Sequence, residues 1–149
     1  MALAVPLLVA VVAIAGVSAG EVAGATPWAG LVPRNSAEAA AIGDASDLLR
    51  LLRRGDDSHT VYDIRPEVIS SAVLKATTLE AAIWSRQLEL IQLLDREGII
   101  QTSDRNELSC LAADLKVDDL VEYLAPEGAR CDPGKAIALV AARSRQPAS

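Results

Sequence analysis

His59 lies in Gly-Asp-Asp-Ser-His-Thr, residues 55–60, beside Asp56, Asp57 and Ser58. Serine, histidine and aspartate are the parts of an acyl-transfer site, in which the imidazole takes the hydroxyl proton and a carboxylate orients the ring. That chemistry needs a held geometry and donors for an oxyanion, and a short polar loop supplies neither. Asp118, Asp119 and Glu122 form a second acidic set, with spacing that puts Glu122 on one helical face with either aspartate. Such a face could hold a cation weakly, but it matches the charged outer side of a surface helix. No catalytic residue is assigned.

With one histidine and two cysteines the chain has no set of four ligands for a structural zinc, so neither metal nor cofactor is expected. Gly55, Gly98 and Gly128 follow leucine-rich runs and read as helix stops rather than a phosphate cradle. Cys110 and Cys131 admit two states. In an oxidising compartment they could bridge, closing a loop worth about 3 kcal/mol; otherwise Cys110 is a buried apolar residue and Cys131 an exposed thiol.

These residues sit in a chain of 149 with a net charge of -6, which argues against nucleic acid as a partner because phosphate binding rests on a basic surface. All charged residues follow residue 20. Ala2 to Gly20 is uncharged and long enough to span a hydrocarbon layer of about 30 Å as a helix. Residues 1–19 are expected to be a signal peptide, with Val17-Ser18-Ala19 as the small residues before cleavage, or a retained membrane anchor. Membrane contact is expected only through residues 2–20, if uncleaved. Residues 20–34, rich in Gly, Ala and Pro, read as a linker.

From residue 35 to about 146 the pattern is short amphipathic helices. Asn35 or Ser36 is expected to cap the first, Gly43-Asp44 to end it, and Ser46 or Asp47 to cap the next. In Leu-Glu-Leu-Ile-Gln-Leu-Leu, residues 88–94, one face carries Leu88, Ile91 and Leu94, widened by Leu90 and Leu93. Helices this short are marginal alone and must pack on neighbours. The pattern also repeats: residues 108–128 align with 78–98, their terminal glycines thirty residues apart, and residues 38–55 and 132–145 give one further copy and a half. Alanine pairs at 39–40, 81–82, 112–113 and 141–142 suit close approach of inner helices.

Thr77-Thr78-Leu79-Glu80-Ala81-Ala82-Ile83 and the leucine run after it resemble the inner and outer helices of an ankyrin repeat. Glu80 and Cys110 stand where that family has His, Thr78 where it has Pro, and the loop Asp56 to Lys75 is about ten residues longer than the usual tip. The resemblance implies an all-α fold, a short α-solenoid of stacked helix-turn-helix repeats with nearest-neighbour contacts only. The last half-copy, ending Arg143-Ser144-Arg145-Gln146, would be a polar cap.

It also implies a noncatalytic protein-protein interaction module, with the partner held by repeat tips and by the residues after each alanine pair. The tips give Ser103, Asp104 and Asn106, then Asp132, Pro133 and Lys135. The helix positions give Trp84 and Ser85, Asp114 and Leu115, and Arg143 and Ser144. Trp84 is the expected anchor, an indole being able to bury a large apolar area at an interface; the competing expectation is that it folds into the core. The N-terminal run points to a secreted, periplasmic or membrane-anchored protein of a bacterial envelope. A small-molecule binder or enzyme using residues 56–75 as a lid, or a structural spacer, are the alternatives.

Overall fold

A computed structural model of the chain describes residues 31–146. The chain divides into Met1–Val32 and Pro33–Ser149, and the fold is that of the second unit. The expected signal or anchor lies outside the described residues.

Among the described residues seven helices and one hairpin follow in order: α1 Ser36–Ile42, α2 Ala45–Arg54, β1 Val61–Ile64, β2 Leu74–Thr77, α3 Thr78–Trp84, α4 Leu88–Arg96, α5 Asp104–Asp114, α6 Asp118–Leu124 and α7 Lys135–Ser144. Local chemistry sets the helix ends. Asn35 accepts the Glu38 amide as N-cap of α1, and Gly43, at φ 76°, ends the helix in the left-handed region. Asp44, rather than Ser46 or Asp47, caps α2 by accepting the Asp47 amide. Thr77 and Glu80 form a reciprocal capping box on α3.

Helices α1, α3, α5 and α7 contact one another in succession. Ala39, Ala40, Ala81, Ala82 and Ala112 are buried between them, and a hydrogen bond of 2.7 Å joins the Ser36 and Thr78 hydroxyls across the α1–α3 contact. Leu90, Ile91 and Leu94 of α4 are buried, while Leu88 and Leu93 are partly so. Asp95 of α4 receives the Arg105 guanidinium at 2.6 and 2.8 Å and the Tyr123 hydroxyl at 2.7 Å, tying α4 to α5 and α6. The Tyr123 hydroxyl, and after it Arg105, hold the Asp95 carboxyl below the ordinary aspartate range despite partial burial.

The expected all-α solenoid is incorrect in two respects. First, the stretch expected as a long loop, Asp56 to Lys75, contains β1 and the start of β2, which pair antiparallel with Tyr62 opposite Ala76 and Ile64 opposite Leu74. Val61, Tyr62 and Ile64 are β-branched or aromatic, the types that suit a pleated, half-buried ribbon. Second, contacts are not confined to neighbours in sequence, because α7 packs on β2 as well as on α5. The last alanine pair is accordingly not an inner-helix contact: Ala141 and Ala142 are exposed and Val140 is the residue of α7 that is buried.

Both edges of the hairpin are closed. On β1, the Asn35 side chain donates to the Asp63 carbonyl at 3.1 Å, and the following Arg65 amide donates to Glu38 at 3.1 Å. On β2, the Lys75 amide donates to Ser144 Oγ at 2.9 Å and the Thr77 amide to Glu80 Oε2 at 2.8 Å. These amides point away from β1, so the ladder hydrogen bonds fall on the alternate pairs, Tyr62–Ala76 and Ile64–Leu74. Two short strands alone are marginal in water, and exposed edges invite further pairing; here helices α1, α3 and α7 remove both problems.

Glu38 is 1% exposed. Its carboxylate takes the Arg65 guanidinium at 2.8 Å through two nitrogens, the Arg65 amide, and the Arg34 amide at 2.9 Å. Burial works against ionisation but is outweighed by these donors, the Arg65 guanidinium foremost, so the carboxyl lies below the ordinary glutamate range. A carboxyl depressed in the folded state stabilises the protein above its unfolded pKa and loses that contribution as pH falls. Glu38→Gln is expected to lower stability at pH 7 by about 2–4 kcal/mol. It should also flatten the fall in stability below about pH 4.3, with Asp95 and Asp57, whose carboxyls are likewise held low, contributing to what remains; urea unfolding at pH 7 and across pH 5 to 3 checks both. Leu94→Ala, at a fully buried site in α4, should cost about 2–5 kcal/mol in the same assay.

Candidate functional site

A cleft of about 530 Å³ opens where the loop before β1, the end of β2 and helices α3, α5 and α7 meet. Leu79 of α3 and Leu108 of α5 give it an apolar floor, both nearly fully buried, and Leu139 of α7 stands at it 53% exposed. Its ionisable lining is Glu80, Asp104 and Glu107 with His59 and Arg143.

Each of these groups is positioned by local structure. Glu80 is the third residue of α3 and is turned to the helix start by the capping box, one oxygen on the Thr77 amide and the other on the Arg143 guanidinium of α7. Asp104 opens α5 and accepts the Gln101 amide at 2.9 Å. Asp57 accepts the His59 amide at 3.0 Å and the Thr60 hydroxyl at 3.0 Å, and those two donors, in that order, hold its carboxyl below the ordinary range. The turn so formed presents His59 to Asp104, with Nε2 3.2 Å from each carboxylate oxygen. Glu107, one turn further along α5, is exposed.

Ser58 Oγ is 3.1 Å from His59 Nδ1, so one imidazole lies between a hydroxyl and a carboxylate forty-five residues away. The carboxylate at hydrogen-bonding distance from the ring is Asp104; of the aspartates adjacent in sequence, Asp57 lies 3.8 Å from Nδ1 and Asp56 accepts the Ser36 amide. The contacts are those of a proton relay, but His59 is 46% exposed and Ser58 is not part of the cleft lining, so the hydroxyl does not face the space where a substrate would sit. Asp118, Asp119 and Glu122 are exposed on α6, and among the described residues no three His, Cys, Asp or Glu side chains are grouped to hold a metal.

Of the expected contact residues, Asp104 and Arg143 line the cleft. Leu115 is 8% exposed and belongs to the core at the end of α5. Trp84 is half-buried against the core, and its indole nitrogen is buried without a hydrogen-bond partner. It therefore packs the interior more than it presents an anchor. The Ser85 hydroxyl donates to the Ala82 carbonyl at 2.7 Å. Asp114 accepts the Gly134 and Ile137 amides at the start of α7, and Asn106 accepts the Arg130 amide. Ser103 and Pro133 are exposed, and Asp132 with Lys135 makes an exposed ion pair of 3.1 Å. Arg143 and Ser144, expected as part of a polar cap, instead turn inward to Glu80 and to the Lys75 amide. Leu139, Glu80 and Glu107 line the cleft and lie outside the expected contact set. The departure of Glu80 from the family's His was the available signal for one of them; Glu107 and Leu139 carried none.

The wall made by α7 is pinned at both ends. Cys131, in the loop before it, is bonded to Cys110 of α5, and its far end is held through Arg143, Ser144 and the Gln146 carbonyl, which accepts Lys75 Nζ at 2.9 Å. Between the pins only Val140 is buried. Joint replacement of Cys110 and Cys131 by serine should cost about 3 kcal/mol. It should also speed hydrogen exchange at the Lys75 amide, the reporter of the α7 contact, more than at amides in α3. Arg143→Ala should destabilise by about 1–3 kcal/mol by leaving Glu80 short of a donor, whereas exposed Arg145→Ala should stay within about 0.5 kcal/mol of the parent; denaturant titration separates the two.

Comparisons with family models, curated proteins and solved structures find no match to this chain.

Proposed function

We propose that the chain is a noncatalytic protein-binding module, exported or membrane-anchored in a bacterial envelope, whose partner enters the cleft bounded by α3, α5 and α7. The observation that carries this is the cleft's make-up: a leucine floor, an exposed Leu139, and charges mostly committed to one another. An open apolar recess with a polar rim suits an inserted side chain of another polypeptide. The cleft also stands at the starts of α3 and α5, where it includes Asp104 of the expected contact set. Support for export comes from the uncharged run of residues 2–20 and from the Cys110–Cys131 disulfide, since such bonds persist in oxidising compartments. Among the described residues no helix is long and apolar enough to cross a membrane.

The catalytic alternative has one observation in its favour, the Ser58–His59–Asp104 contacts, and a direct test. Labelling of Ser58 by a fluorophosphonate would support it. For the binding module, peptides selected from a displayed random library against the oxidised chain are expected to bind the parent at least ten times more tightly than Leu139→Asp, with the two melting curves alike. Failure to select any peptide, or selected peptides indifferent to Leu139→Asp, would reject the cleft as the binding surface.

A further inference from the structure

We infer that the cleft takes a segment bearing an arginine or lysine flanked by aliphatic side chains, an inference that rests on the protein-binding reading above. The groove is apolar at its base and unbalanced in charge at its rim. Three carboxylates, Glu80, Asp104 and Glu107, face two basic groups, of which Arg143 is already spent on Glu80. His59 meets Asp104, and Asp57 lies 3.8 Å from its other ring nitrogen, so the imidazole is shared between two acids. Glu107 is exposed on the same side of α5 as Asp104, one helical turn away. An incoming cation therefore meets uncompensated negative charge, and the whole chain, at -6, draws basic partners by its longer-range field.

The shape of the groove selects the rest of the occupant. Arginine and lysine carry long apolar stems that lie along hydrocarbon while the charged end stays among polar groups. Leu79, Leu108 and Leu139 offer that hydrocarbon next to the acids. The protein's own side chains use the same chemistry three times: Arg65 on Glu38, Arg105 on Asp95 and Arg143 on Glu80 each place a guanidinium on a partly or fully buried carboxylate. An arginine from a partner would add a fourth such contact at Asp104 and Glu107, and a carboxylate at that point would meet like charge.

The test uses the oxidised full chain and three end-blocked peptides of equal length, identical except for a central Leu-Arg-Leu, Leu-Gln-Leu or Leu-Glu-Leu, titrated by calorimetry at low salt. The arginine peptide is expected to bind at least ten times more tightly than the glutamine peptide, and the glutamate peptide to be weakest. Raising salt should shrink the arginine advantage. Glu107→Gln, at an exposed position, should reduce that advantage at least threefold without moving the melting curve. Equal binding of the three peptides, or preference for glutamate, with Leu139→Asp still abolishing it, would overturn the charge assignment and leave the binding module standing. No binding by any of the three would overturn the cleft as a peptide site and this inference with it.

Discussion

Two buried carboxylates at the starts of α1 and α3 fasten distant segments to those helices, and the packing of the described residues depends on them. Glu38 and Glu80 occupy the same place, the third residue of α1 and of α3, and each does the same three things. Each sits at its helix's positive end, accepts an amide from the hairpin edge, and receives an arginine from elsewhere in the chain. A carboxylate taken out of water loses several kcal/mol of hydration, so it persists only where donors replace the lost water. Here the donors are a backbone amide just before the helix and an arginine from a distant segment, Arg65 for Glu38 and Arg143 for Glu80, which makes each carboxylate a point where two segments must meet.

The third inner helix keeps the position and changes the chemistry. With Gly98 and Gly128 aligned, Cys110 of α5 stands where Glu80 stands in α3, and it too makes a long-range tie, to Cys131. The repeated unit thus carries one linking residue per copy. Two links are ionic, Glu38 to Arg65 just after β1 and Glu80 to Arg143 of α7; the third is covalent and fastens the approach to α7. This separates the molecule from a solenoid, in which each unit touches only its neighbours. Glu80 reaches past α5 in sequence to Arg143, and β2 reaches the end of α7 through Lys75 and Ser144.

The cleft is a product of that arrangement. Along α7 only Val140 is buried, and Leu139 beside it stays uncovered, lining the cleft with Leu79 and Leu108. The hairpin's leading loop supplies the remaining wall by placing His59 on Asp104. Apolar base and acidic rim both follow from which segments meet there, not from any single motif.

What the sequence by itself determined is the local part: helix-forming stretches, the glycine stops at Gly43, Gly55 and Gly98, the leucine face of α4 and the inner alanine pairs up to Ala112, whereas Gly128, expected as a stop, lies beyond α6, which ends at Leu124 with Ala125 as its C-cap. These depend on side chains and backbone within a turn or two of each other, where spacing fixes which groups can meet. The repetition was legible for the same reason. The four-residue strands were not, since their partners lie across a turn and so short a run differs little from loop. Nor were the inward turn of Arg143 and Ser144, the burial of Val140 in place of Ala141 and Ala142, the meeting of His59 with Asp104, or the pairing of the two cysteines. Each is decided by a segment brought alongside from twenty to seventy residues away, and a hydrogen bond or a buried face exists only once that segment has arrived.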